Sequence, residues 1–227
     1  MKTHPAILNQ QQKLLLMESS VNKGNNVVII KYNAGNIQSV LHALERIGME
    51  ATVTDDHNRI IHADKVIFPG VGEASSAMKY LKERELDKLI TRLQQPVLGI
   101  CLGMHLMCTH TEENDTECLG IFDEQVQLFR PAGGHEKVPQ IGWNNIFKLK
   151  TALFNGVPEQ SFIYSVHSYY AAVGADTIAT ADYIHPYSAA LHRKNFYGVQ
   201  FHPEKSAGAG ERMLKNFLLN DNDKLSG

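Results

Sequence analysis

Val97-Leu98-Gly99-Ile100-Cys101-Leu102-Gly103-Met104 decides how this chain is read. Val97 to Ile100 is a short apolar run behind Pro96, the pattern of a strand buried on both faces. Leu102 to Cys108 then takes a helical pattern. A cysteine therefore stands where a buried strand turns into a helix, with a glycine two residues before it and another two residues after. This is the nucleophile-elbow spacing, with Cys in the place of Ser. The turn is too tight for side chains at the glycine positions, and it lifts the thiol clear of the sheet. It sets Cys101 beside a helix N-terminus, where the dipole and unpaired N–H groups favour a thiolate. It also aims the N–H of Leu102 at the place where an oxyanion would form. The plain alternative is a core cysteine in a glycine-flanked turn, since free cysteine is usually buried. Position at the carboxyl end of a central strand favours the functional reading, because ligands of open α/β sheets gather there.

Working outward, Val27-Val28-Ile29-Ile30 is a second doubly buried strand. Gly35-Asn36 breaks it. Ile37, Val40, Leu41, Leu44 and Ile47 follow at helical spacing, and Gly48 closes that helix. Ala51 to Thr54 and Val66 to Phe68 read as strands, the latter running into Pro69-Gly70-Val71-Gly72. Met78 to Leu93 reads as one helix stopped by Pro96. Four strands alternating with helical or turn segments predict βαβ units and a parallel sheet. Beyond them, strand-like runs crowd together at Val126 to Phe129, Asn145 to Leu149, Phe162 to Val166, Thr177 to Ala181, Ala189 to His192 and Tyr197 to Phe201. Helical pattern returns at Glu211 to Leu219. The expected fold is α/β: an open, mostly parallel sheet with helices on both faces, and a strand-rich C-terminal half that adds an antiparallel edge. One domain is expected over residues 26–220. Residues 1–25 read as a frayed extension or leader, or alternatively as a short docked helix around Leu14 to Met17, and 221–227 as a tail.

Composition narrows the function. The 227 residues hold 22 Lys and Arg against 24 Asp and Glu, a net charge of −2. That excludes a strongly basic nucleic-acid binder and gives no polybasic membrane patch. Hydrophobic residues make up 43% and charged residues 20%, which excludes disorder along the whole chain. Three cysteines, Cys101, Cys108 and Cys118, are too few for a disulfide scaffold, and a reducing cytoplasm is expected. No apolar stretch approaches a bilayer span, and no signal-peptide core is present. The cysteines lack zinc spacing, and no phosphate-loop motif occurs, so neither metal nor cofactor is expected.

A cysteine nucleophile needs a base and an orienter. Of the eleven histidines, His202 stands out, in Gly198-Val199-Gln200-Phe201-His202-Pro203-Glu204 at the end of a strand. Pro203 holds His202 toward extended geometry, and the Glu204 carboxylate is near enough in sequence to steady the ring. His105 is a rival base, four residues after Cys101 on the same helix face; lining a substrate pocket is its simpler role. Gly70-Val71-Gly72 is either an ordinary turn or a second oxyanion donor.

The elbow and Phe201-His202-Pro203-Glu204-Lys205-Ser206 together make the sequence resemble class I, triad-type glutamine amidotransferases, whose sheet is open and flavodoxin-like. Within that class it is similar to the glutaminase subunits of imidazole glycerol phosphate synthases. Tyr32-Asn33-Ala34-Gly35-Asn36-Ile37-Gln38-Ser39-Val40, Pro69-Gly70-Val71-Gly72, Gly142-Trp143-Asn144 and Val166-His167-Ser168-Tyr169-Tyr170 carry that likeness, which spans about residues 26–219. The resemblance implies that Cys101 attacks the side-chain amide of glutamine, that His202 moves the proton, and that Glu204 orients His202. Backbone groups of Leu102 and Val71 would hold the oxyanion, and Gly70, Gly72, His105, Ser168 and Tyr169 the substrate. A glutamyl thioester would form and hydrolyse, and ammonia would pass to a (β/α)8-barrel cyclase in a heterodimer serving histidine biosynthesis. Trp143, Asn144 and Lys205 would face that partner. The isolated chain is expected to be nearly inactive, with the Val71 N–H turned away.

Three departures accompany the likeness. His105 stands where the family usually has Gln, Thr109 where it often has Glu, and Lys31-Tyr32-Asn33 where an acidic opening is commoner. Two other readings stay open. One is a stand-alone cysteine hydrolase of similar fold, such as a peptidase or γ-glutamyl hydrolase. The other is a silent partner-binding module, against which the intact Cys101, His202 and Glu204 argue.

Overall fold

The computed structural model describes residues 26–32, 36–131, 133 and 136–219. The expected extension over 1–25 and the tail over 221–227 lie outside the described residues. Seven strands make the central sheet: β1 (Val27–Ile30), β2 (Ala51–Thr54), β3 (Lys65–Gly70), β4 (Val97–Cys101), β11 (Thr177–Tyr183), β12 (His185–Arg193) and β13 (Phe196–Val199), in the order β11-β12-β13-β4-β3-β1-β2. β13, β4, β3, β1 and β2 run parallel. β12 and β11 continue the sheet antiparallel at one edge.

Strand alternation sends successive side chains to opposite faces. Val27 and Ile29 of β1, with Ile67 of β3, join one core with Val40 and Leu44 of helix α1 (Ile37–Arg46) and with Leu214 and Phe217 of helix α6 (Ala207–Leu219). Val28, Ile30, Val66 and Phe68 join the other core. There they meet Met78 and Leu81 of α3 (Ala74–Glu83), Leu86 and Ile90 of α4 (Leu86–Ile90), and Leu106 of α5 (Leu102–Met107). A strand apolar at every position is required because both faces are covered, and each fully buried Leu or Ile contributes roughly 1.5–3 kcal/mol.

Several elements differ from expectation. The single helix over Met78 to Leu93 is two helices, α3 beginning at Ala74 and α4 at Leu86, with Glu85 between them at φ 55°. The early start comes from Glu73, whose carboxylate accepts from the N–H groups of Ser75 and Ser76 and caps the helix. A further short helix, α2 (His57–Ile61), is capped by the Asp56 side chain. The strand expected at Asn145 to Leu149 lies earlier, as β8 (Gln140–Asn145). Lys148 sits at φ 56°, and the N–H groups of Lys148 and Leu149 are taken by the Glu159 carboxylate at 2.9 and 2.8 Å, not by a ladder.

The strand-rich half does more than extend the sheet. β8 pairs antiparallel with β9 (Phe162–His167) as a two-stranded ribbon. β10 (Tyr169–Ala171), β7 (Gln125–Leu128), β5 (His110–Thr111) and β6 (Thr116–Glu117) form a separate four-stranded sheet. β9, with the turn between β9 and β10, reaches the carboxyl end of β4.

Candidate active site

Cys101 closes β4 and leads directly into α5. Its backbone stands at φ 52°, ψ −107°, a strained conformation for a residue with a side chain and one that clusters at functional positions. The flanking glycines permit it. A Cβ on Gly103 would run into the carbonyl oxygen of Phe68 on β3, and one on Gly99 would meet the Gly103 carbonyl carbon and oxygen at 2.9 Å. The start of α5 thus lies directly against the sheet, and the N–H of Leu102, its first residue, has no partner within the helix.

Sheet register assembles the rest. Gly70 of β3 pairs with Cys101, so Val71 and Gly72 leave the sheet beside the thiol. On the other side Val199 of β13 pairs with Ile100, so Gln200, Phe201 and His202 leave along the same edge. Glu204 follows in a 3-10 turn, Pro203–Lys205. That turn is fastened to β9: the His202 N–H donates to the Tyr164 carbonyl at 2.9 Å. The Ser206 hydroxyl donates to the His202 carbonyl at 2.6 Å and accepts from the Tyr164 N–H at 2.9 Å.

His202 Nδ1–H donates to Glu204 Oε1 at 2.8 Å, and the two side chains are 3% and 0% exposed. The imidazole and the Cys101 sulfur line the same cavity. Burial pushes the His202 pKa down, but the bonds and charges of Cys101 and Glu204 outweigh it and raise the pKa to about 10. His202 therefore holds its proton beside Cys101, with the Glu204 carboxylate bonded behind the ring. Asn36 Nδ2 donates to the same Glu204 oxygen at 2.7 Å, and Arg46 donates to the Glu204 carbonyl at 3.3 Å. Asn36 holds a left-handed backbone, φ 73°, at the start of α1. Its role was not foreseen; an Asn after glycine at a helix start was the available signal.

The rival base has a different partner. His105 Nε2 donates to Gln200 Oε1 at 2.7 Å, and burial, opposed by that bond, lowers its pKa to about 4. His167, on β9, donates through Nδ1 to the Tyr169 carbonyl at 2.8 Å; burial lowers its pKa to about 3. Both rings are neutral at pH 7, which leaves His202 as the charged histidine of the site.

A cavity of about 340 Å3 opens above the thiol. Its wall includes Cys101, Leu102, His105 and His202, together with Val71, Gly72, Ser168, Tyr169 and Lys205. Gly70 lies in β3 opposite Cys101 and not on this wall. Glu113 and His167, which sequence reasoning did not single out, also line it. The Glu113 carboxyl is half-buried and its pKa is raised by that burial, although the Ala74 N–H donates to it at 2.9 Å. Trp143 and Asn144 lie away from the cavity on β8. Trp143 is 55% exposed and packs edge-on to Tyr164 at 5.8 Å, and Asn144 donates to the Asp182 carbonyl at 3.1 Å. A larger groove of about 500 Å3, between His57 and Gln95, has no Cys, Ser or Thr on its wall.

Known proteins share the sequence and the fold of this chain. The model of the family "Glutamine amidotransferase class-I" matches residues 28–220. A Bacteroides fragilis protein, imidazole glycerol phosphate synthase subunit HisH, is 58% identical over 192 residues, covering 85% of this chain and 98% of its own. The Vibrio cholerae protein of the same name is 45% identical over 200 residues, with the same coverage. Among solved structures, PurLQS from Thermotoga maritima superposes with a TM-score of 0.63 at 16% identity, covering 86% of this chain and 98% of its own. A glutamine amidotransferase from the same organism gives 0.57 at 18%, covering 85% and 82%. These two likenesses speak to the fold alone. A strained cysteine at a strand-to-helix elbow, its histidine and carboxylate, and the match over 28–220 lead to one statement: the chain belongs to the class I glutamine amidotransferases, in the family of the HisH glutaminase subunits of imidazole glycerol phosphate synthase.

Proposed function

We propose that this chain hydrolyses glutamine at Cys101 and delivers the ammonia to a (β/α)8-barrel cyclase subunit. The observation that carries the reading is Cys101 and His202 on the wall of one 340 Å3 cavity, with the Glu204 carboxylate bonded to the buried ring of His202. Cys101 attacks the side-chain amide carbon of glutamine as the thiolate, its proton already held by His202. The N–H of Leu102 and a backbone N–H at Val71 stabilise the tetrahedral oxyanion; loss of one such donor typically costs ~10²–10³ in rate. His202 then gives its proton to the departing nitrogen. Ammonia leaves a glutamyl thioester, which water opens to glutamate with the base roles reversed. The half-buried Glu113 carboxylate complements an α-ammonium group, and the backbone around Gly72, Ser168 and Tyr169 offers hydrogen bonds to the rest of the amino acid.

The partner surface is the outer face of the β8–β9 ribbon. Ile141, Trp143, Phe162 and Val166 are 64%, 55%, 61% and 37% exposed. In the antiparallel register Ile141 stands opposite Val166 and Trp143 opposite Tyr164, so these side chains share one face. A contiguous exposed apolar patch of this kind favours a protein partner. The exposed Lys205 shares the cavity wall with Val166, while Asn144 alternates to the opposite face of the ribbon, paired with the buried Ile163. The three free cysteines and the absence, among the described residues, of any helix long and apolar enough to cross a membrane fit a cytoplasmic enzyme.

Trapping with a glutamine-analogue electrophile tests the site. The label is expected on Cys101, with formation strongly enhanced when the cyclase and its ribonucleotide substrate are added. Labelling elsewhere, or turnover equally fast with and without the cyclase, would overturn the reading.

A further inference from the structure

One buried amide links two groups that the mechanism treats separately. Gln200 is 1% exposed. Its Oε1 accepts from His105 Nε2–H at 2.7 Å, and its Nε2–H donates to Cys101 Sγ at 3.8 Å. The bond to His105 sets the direction of the amide: the oxygen faces the ring N–H, and the NH2 end is left facing the sulfur. His105 is itself held, as a buried residue of α5 on the helix that Cys101 begins.

The sulfur has a competing contact. Its S–H donates to the Val166 carbonyl at 3.8 Å. That contact needs the proton, so ionisation abolishes it. The contact with Gln200 behaves in the opposite way, since an N–H donor binds an anionic acceptor more strongly than a neutral one. Gln200 thus favours the thiolate of Cys101, and Val166 the thiol.

We infer that Gln200 is a positioning residue of the nucleophile: locked by His105, its amide holds the Cys101 sulfur in place and offers the thiolate an N–H donor. This gives His105, which stands where glutamine is usual in the family, a task in this chain besides lining the substrate cavity. The inference rests on Cys101 being the nucleophile.

The test follows alkylation of Cys101 by iodoacetamide from pH 5 to 10 in the full chain, read by mass spectrometry, with Cys118 as the internal control. The variants are Gln200→Met, which keeps length but has no donor, and His105→Leu, which leaves Gln200 in place but unlocked. In Gln200→Met the pH of half-maximal alkylation is expected to move up by about one to two units, the worth of one hydrogen bond to a charged group. His105→Leu is expected to move it in the same direction by less. In the complex with the cyclase, Gln200→Met is expected to lower kcat about ten-fold, the rate equivalent of one such unit, and to leave KM unchanged. Thermal unfolding monitors the fold of each variant; if Gln200→Met does not fold, the His105→Leu profile decides alone. Folded variants with the wild-type alkylation profile would overturn the inference. Wild-type Cys101 no more reactive than Cys118 at pH 7 would overturn the nucleophile assignment itself, which is a separate result.

Discussion

At the scale of single residues, the distribution of protons sets the roles. Three histidines surround the cavity, and burial drives two of them neutral. Only His202 gains enough from its neighbours to hold a proton to about pH 10. Replacing Cys101 by Ala removes one of those neighbours, and replacing Glu204 by Gln removes the charge of the other. Either change is expected to bring the His202 titration, followed by imidazole NMR, down toward its ordinary value near 6.5. The stability linkage has a definite sign. A proton held more tightly when folded than when unfolded stabilises fully below about pH 6.5, and this contribution is lost as pH rises through about 10. Wild type should therefore lose more of its melting temperature between pH 7 and 10 than Cys101→Ala does. An unchanged His202 titration in both variants would refute the arrangement. That Cys101, His202 and Glu204 gather at one end of the sheet was legible in the sequence, because an elbow and a Pro-fixed turn are local patterns. Asn36, Glu113 and Gln200 were not, because each acquires its role from a partner distant along the chain: Asn36 meets Glu204 across 168 positions, and Gln200 meets Cys101 across 99.

At the scale of elements, the elbow is as much a packing device as a chemical one. Gly103 lies where helix α5 crosses β3, and the atom that any side chain would strike is backbone, the Phe68 carbonyl oxygen. Backbone in the middle of a doubly covered sheet has little room to retreat. Gly103→Ala is therefore expected to destabilise the fold by about 1–3 kcal/mol or more, the usual cost of overpacking, although alanine favours helix over glycine. Urea denaturation of the two proteins measures this, and a variant as stable as wild type would show that α5 can lift off the sheet freely. The doubly buried strands β1, β3 and β4 were readable because their apolar runs have no competing interpretation beside alternating helices. The segment from Asn145 to Leu149 was misread because its apolar alternation is real, while its N–H groups are claimed by Glu159 from another loop. The long helix over 78–93 was misread at both ends of its first half: the Glu73 cap and the positive φ of Glu85 are choices that apolar spacing does not record.

At the scale of the whole molecule, the β8–β9 ribbon joins the outside to the active site. Its outer face presents Ile141, Trp143, Phe162 and Val166 to solvent. Strand β9 of the same ribbon carries the Val166 carbonyl that the thiol contacts and the Tyr164 backbone that fastens the His202 turn. A partner seated on the ribbon would press on the strand that holds both the Val166 contact of the Cys101 thiol and the backbone of the His202 turn. This supplies a physical route for partner-dependent activation that needs no change in the central sheet. Trp143 is the large aromatic at the middle of the face, the kind of side chain that dominates an interface. Because it is exposed here and touches Tyr164 only edge-on, Trp143→Ala should leave the melting temperature and the Cys101 alkylation profile of the isolated chain unchanged. It is expected to weaken binding of the cyclase by about 2 kcal/mol, roughly thirty-fold. Titration calorimetry reads the affinity, and a glutaminase assay at saturating cyclase shows whether activation survives once binding is restored. Full affinity in the variant would remove the ribbon as the docking face. Restored affinity without activation would mean that the Trp143 side chain transmits the signal as well as anchoring the partner.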